Sequence, residues 1–278
     1  MLRVTATVTT SQRLRETITS AVTRAAALLT IATWVKVWPA ALVTALVIAS
    51  RKRWEVVTVA LTLSIGILGV SLVAGSGVNA LGFVAEQAGR GLQIEAPLAV
   101  AWLWQIVAGS TAVEIVYDRE ILTFQISGPG ADAAAAATTP LMAVGVAVVL
   151  LLGVRAVRRG AAFGRLLPPL ALSFVVVLML ANKVGSPQFA TWLAAPIILG
   201  LALQPRRFRL PAVLAAAVAL CTHVLYPYLY GWLLAAHPAF VLLLTAKVVL
   251  LVVLFVWAVR AVWQAGGIRH RSDPEPAA

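Results

Sequence analysis

Charge is scarce in this sequence: 12% of its 278 residues are Asp, Glu, Lys or Arg, where an ordinary soluble domain carries about a quarter. So little charge cannot coat a water-facing surface, which sets the usual soluble classes aside. Cysteine is limited to Cys221, and one thiol allows neither an internal disulfide nor a cysteine metal cluster. The chain also lacks a Walker loop, a dinucleotide glycine fingerprint and a histidine pair with zinc-ligand spacing. No apolar stretch followed by a small-residue cleavage site opens it, so the leader does not read as a secretory signal peptide.

What the sequence has in abundance is apolar surface. Hydrophobic residues make up 61% and the mean hydropathy is +0.94, values of an integral membrane protein. The net charge of +12 does not point to nucleic acid. The basic residues lie in short clusters between apolar runs, as in cytoplasmic loops of membrane proteins.

A spanning helix needs about 20 apolar residues. Runs near 25–50, 55–75, 138–157, 166–183, 189–204, 210–227 and 239–261 qualify, which predicts an all-α polytopic bundle of about seven transmembrane helices. Trp38-Pro39 breaks or kinks the first run. The basic clusters are Arg51-Lys52-Arg53, then Arg155, Arg158, Arg159 and Arg165, then Arg206, Arg207 and Arg209, then Arg269 and Arg271. If all are cytoplasmic, the helices alternate without conflict and the C-terminal tail, 262–278, is inside.

The expected order is a basic leader (1–24), two transmembrane helices (25–75), a non-cytoplasmic region (76–137) and five more helices (138–261). The leader's alternative reading is an amphipathic helix on the membrane surface. Within 76–137, Phe83 to Glu95 reads as a helix carrying Glu86, Arg90 and Gln93 on one face. Pro97–Ala112 reads as a re-entrant or interfacial helix. Val113–Tyr117 and Glu120–Ile126 read as a hairpin around Asp118-Arg119, though the turn lacks the favoured glycine.

Polar groups at membrane depth are costly and each is a candidate site. Lys36, inside the first run, either snorkels to the surface or sits near an anionic headgroup. Lys247 lies about 12 Å into the last helix, where snorkelling or a structural pair is the favoured account. The stretch Asn182-Lys183-Val184-Gly185-Ser186-Pro187-Gln188 is a turn, yet a turn needs only its Gly and Pro. Its lysine suits a phosphate and its amides suit sugar hydroxyls. His223 and Tyr226 are additional candidates near the outer surface, and His237-Pro238 reads as a helix cap. Asp118-Arg119-Glu120 has a spacing that could hold a divalent cation, with a solvated turn as the stronger reading. No other metal or cofactor is implied.

Several strings together resemble a known family: Lys36-Val37-Trp38-Pro39 followed by Arg51-Lys52-Arg53-Trp54; Gly89-Arg90-Gly91-Leu92-Gln93-Ile94-Glu95; Asn182 through Trp192; and Tyr226-Pro227-Tyr228-Leu229-Tyr230. The set is similar to the C-terminal portion of actinobacterial membrane proteins of glycosyltransferase family 87, the polyprenol-phosphate-mannose-dependent mannosyltransferases. The string from Asn182 also resembles one in the eukaryotic enzyme that adds the first mannose to glycosylphosphatidylinositol. The resemblance covers residues 28–263. It implies a GT-C architecture in the cell membrane, a polyprenyl-phosphate sugar donor, and a cell-envelope glycolipid or glycan acceptor. Carried over by position, Lys36, Arg90, Glu95, Asn182, Lys183, Ser186 and Gln188 would line the donor or acceptor side. The family's catalytic base is an aspartate in the first outer loop, and none precedes Lys36 here. The catalytic residue is therefore unassigned. The expectation is an N-terminally shortened member, inactive alone, with a separate N-terminal half as partner. Two other classes remain: a non-enzymatic membrane subunit, and a lipid or small-molecule transporter.

Overall fold

The computed structural model describes residues 20–77, 79 and 90–267. The chain divides into two compact units, Met1–Ala85 and Glu86–Ala278. The leader up to residue 19 and residues 80–89 lie outside the described residues.

In the first unit, α1 (Ser20–Val35) is followed by α2 (Ala40–Ala49) and α3 (Arg53–Val73). Trp38-Pro39 breaks the first apolar run into two helices. A proline ring offers no N–H and fixes its own φ, so the α-helical ladder stops and restarts there. The Trp34 indole donates to Ser64 Oγ at 3.0 Å and ties α1 to α3. Leu61, Ile65, Val70 and Leu72 of α3 are exposed, an apolar face suited to lipid.

The second unit holds a short hairpin and most of the long helices. A short 3₁₀ turn (Pro97–Ala99) leads into α4 (Val100–Val107), and strands β1 (Glu114–Asp118) and β2 (Thr123–Ser127) follow. Then come α5 (Ala131–Arg158), α6 (Phe163–Leu180), a 3₁₀ segment (Pro187–Leu193), α7 (Ala194–Leu203), α8 (Arg209–Leu225), α9 (Tyr230–Leu234) and α10 (Pro238–Ala265). Helix α6 is the centre: every residue from Leu166 to Val177 is buried, as expected of a helix apolar on all faces. Helix α10 packs along both α6 and α8.

Among the described residues, four helices are long and apolar enough to cross a membrane: α3, α5, α6 and α10. The chain is an all-α membrane protein in that coarse sense. The apolar runs at 25–50, 189–204 and 210–227 form shorter helices instead, because Pro39 and Pro187 start new segments and Tyr226 turns the chain into extended backbone. Helix α4, with eight residues, rises only about 12 Å and is too short to cross.

The hairpin forms with a longer loop than its sequence suggests. Asp118 pairs with Thr123, leaving residues 119–122 to turn. The missing glycine is answered by Asp118 itself, whose Oδ1 accepts from the backbone of Glu120 (2.9 Å) and Ile121 (3.3 Å).

One expectation is corrected. The helix predicted over Phe83–Glu95 does not extend through its described part, residues 90–95. That segment is extended against β2: Ile126 N donates to the Leu92 carbonyl at 2.8 Å and Ile94 N to the Phe124 carbonyl at 3.2 Å. Burying Leu92 and Ile94 in one apolar cluster with Leu103, Ile126, Leu225 and Leu244 outweighs helical preference here. Arg90 and Gln93 therefore share no helix face.

Candidate functional site

Two strings far apart in sequence meet at one end of the second unit. The backbone N–H of Gln93 donates to the Lys183 carbonyl at 3.0 Å. Two residues further along each string, Gly185 packs directly on the Glu95–Ala96 peptide, and a methyl group at Gly185 would overlap the Glu95 carbonyl. Glycine is required there by close backbone approach, not by a turn conformation. This seam fixes where the side chains on both strings emerge.

Arg90 and Lys183 come close enough to repel. Burial first, and the Arg90 charge second, hold the Lys183 ammonium below the ordinary lysine range. The Arg90 Nε atom is buried without a hydrogen-bond partner among the described residues.

Glu95 lines a recess of about 20 Å³ together with Pro97, Met179, Ser186, Phe189, Lys247 and Leu251. That space accommodates about one water molecule. Burial pushes the Glu95 carboxyl up to about 7, while Lys247 and a hydrogen bond from the Tyr230 hydroxyl oppose the shift. Tyr230 is itself raised above the ordinary phenol range, by burial and then by the Glu95 charge. Its ring is held between Phe124 (centroids 6.1 Å) and Tyr226 (5.4 Å).

The remaining candidates separate by what they touch. Ser186 lines the recess with Glu95. Asn182 uses its Oδ1 to accept from Val184 N at 2.9 Å, which makes it the builder of the turn that aims Lys183. Gln188 is exposed on the 3₁₀ segment, where its carbonyl accepts from Thr191 Oγ1 at 2.7 Å. His223 is exposed and meets the Tyr228 ring at 5.8 Å. Tyr226 reaches Glu95 only through Tyr230. Lys36 is exposed at the break between α1 and α2, in the first unit. His237 caps α10, its ring nitrogen accepting from Ala239 N at 3.3 Å.

Sequence reasoning undervalued Lys247 and Tyr230. Lys247 does not snorkel: it is 8% exposed and faces Glu95 across the recess. A charge held this far into an apolar helix was the signal available. Tyr230 was visible only as part of its aromatic string. Asp118, with one carboxylate oxygen in the turn and the other accepting from Gln125 Nε2 at 3.0 Å, has both oxygens engaged. Among the described residues no group of three or more His, Cys, Asp or Glu could hold a metal ion.

No protein-family profile, curated protein or solved structure matches this chain.

Proposed function

We propose that this chain is the lipid-phosphate-binding portion of a GT-C-type glycosyltransferase-like membrane protein, which takes a sugar from a polyprenyl-phosphate donor for a cell-envelope glycolipid or glycan. The observation that carries it is the seam between the Arg90–Glu95 and Asn182–Gln188 strings. It sets two cations side by side at the end of an apolar bundle. Two neighbouring cations at a membrane boundary suit an anion such as a phosphate, which interacts with both charges. In this reading the chain crosses the membrane about seven times. The ends carrying Arg155, Arg165 and Arg207 are cytoplasmic, and Arg90, Glu95 and Lys183 face the other side. Cations there would stabilise the charge that develops on the departing lipid phosphate.

The test is equilibrium binding of polyprenyl phosphate to the full chain in nanodiscs. Partly buried charge-assisted bonds contribute about 1.5–3 kcal/mol each. Lys183→Ala and Arg90→Ala should therefore each weaken binding roughly tenfold to a hundredfold. If both variants bind like the unmodified protein, the phosphate site is wrong.

A further inference from the structure

The recess beside the seam has a chemistry of its own. Its walls are largely apolar: Pro97, Met179, Phe189, Val248 and Leu251. Its polar side chains are the Glu95 carboxyl, the Lys247 ammonium and the Ser186 hydroxyl. A carboxylate asks for a donor and an ammonium for an acceptor, so the occupant must be both at once. A phosphate is repelled by Glu95 and a metal ion by Lys247. An alkyl group would meet neither the acceptor capacity Glu95 has left beside Tyr230 nor the donors of Lys247. A hydroxyl or a water satisfies both. The size agrees, because about 20 Å³ takes one such group.

We propose that this recess is the subsite for a single hydroxyl of the sugar carried on the lipid phosphate. The hydroxyl donates to Glu95 and accepts from Lys247, displacing the water that otherwise fills the space. Displacement of this kind strengthens binding only when the incoming group reproduces the water's hydrogen bonds, and a hydroxyl does. Position favours the donor sugar over an unrelated ligand. Glu95 is bonded to the same backbone seam as Lys183, so phosphate and hydroxyl subsites share one rigid frame. Phe189, tilted at 32° against Trp192 with centroids 3.9 Å apart, lines the recess as an apolar surface for a sugar ring. Tyr230 is a positioning residue here, holding the Glu95 carboxyl by its hydrogen bond.

This inference rests on the proposed function, and the experiment separates the two. Binding of polyprenyl phosphate, of polyprenyl-phosphate-mannose and of methyl mannoside is measured on the full chain in nanodiscs. The readout is the ratio of the two lipid affinities within each variant, so a variant that misfolds is recognised by losing both. The unmodified protein should prefer the mannosyl lipid by about tenfold, the value of one well-formed charge-assisted bond pair. In Glu95→Gln and in Lys247→Met the ratio should fall toward one. Should either single variant fail to fold, the double variant Glu95→Gln/Lys247→Met, which leaves no unpaired charge, takes its place with the same expected ratio. A ratio near one in the unmodified protein, or a preference retained in the variants, overturns the hydroxyl subsite while leaving the phosphate site standing. Binding of neither lipid overturns the proposed function as well. A recess that responds to methyl mannoside but not to the mannosyl lipid assigns the hydroxyl to an acceptor and overturns the donor assignment.

Discussion

At one end of the second unit the Arg155 guanidinium lies 3.3 Å over the Trp263 ring, and Arg207 donates to Gln264 Oε1 at 2.9 Å. At the other end Arg90 lies beside Lys183, and Glu95 faces Lys247. Both ends are rich in cations, yet the partners differ. Arg155 and Arg207 meet a neutral indole and an amide, contacts that join the end of α5 and the α7–α8 loop to the end of α10. Like charges approach at both ends, Arg165 near Arg207 as Arg90 near Lys183, and the site end adds the buried Glu95 carboxyl. Cations matched by neutral partners serve as structural ties. Cations beside a buried carboxyl raised to about 7 form a place where a ligand changes the energy most.

The largest effect is expected at Gly185. A methyl there meets the Glu95–Ala96 backbone, not a movable side chain, so Gly185→Ala should open the seam. The expected loss is about 3 kcal/mol or more in stability, read by thermal unfolding in detergent, and polyprenyl phosphate binding should go with it. A Gly185→Ala chain that unfolds and binds like the unmodified protein would show that the seam does not build the site.

The second test uses pH. Burial raises Glu95 from 4.5 to about 7, so the folded state holds this proton more tightly than the unfolded one. The groups facing it are Tyr230 from α9 and Lys247 from α10, with Cys221 of α8 beside Lys247. The stabilising contribution is complete below about pH 4.5 and is lost as pH rises through about 7, amounting to roughly 3 kcal/mol. The Tm should therefore fall across that window in the unmodified protein and stay flat there in Glu95→Gln. Equal declines in both would remove Glu95 as the titrating group.

The smallest effect belongs to the arginine end. Arg207 is partly exposed, and burial and Arg165 hold its guanidinium below its ordinary range. Arg207→Lys keeps the charge and loses the fork that reaches Gln264 and the Ala261 carbonyl. Stability should drop by no more than about 1 kcal/mol, with lipid binding unaltered. Weakened binding of polyprenyl phosphate in this variant would erase the distinction between the two ends.

Several features were legible without coordinates because they depend on neighbours in sequence. Trp38-Pro39 breaks its helix, His237 caps the last one, and the alternation around Asp118 makes a hairpin. The 90–95 segment misled for the opposite reason. Its charges repeat at helical spacing, but Leu92 and Ile94 are claimed by β2 and the core beneath it. The site divides likewise. Lys183 and Ser186 stood out as polar groups at an apolar boundary and Arg90 and Glu95 through the string they share, while Lys247 read as a snorkelling or structurally paired lysine.

Composition alone was enough for a membrane-type helical chain, since low charge and long apolar runs leave water no surface to wet. It also marked which side chains are too costly at membrane depth to be incidental. Only the tertiary structure decided which of those side chains face each other. Pairing Glu95 with Lys247, and Gln93 with Lys183, depends on backbone approach at Gly185. Periodicity reports the face a residue presents along its own element, whereas contact between distant segments is settled by how closely their backbones can pack.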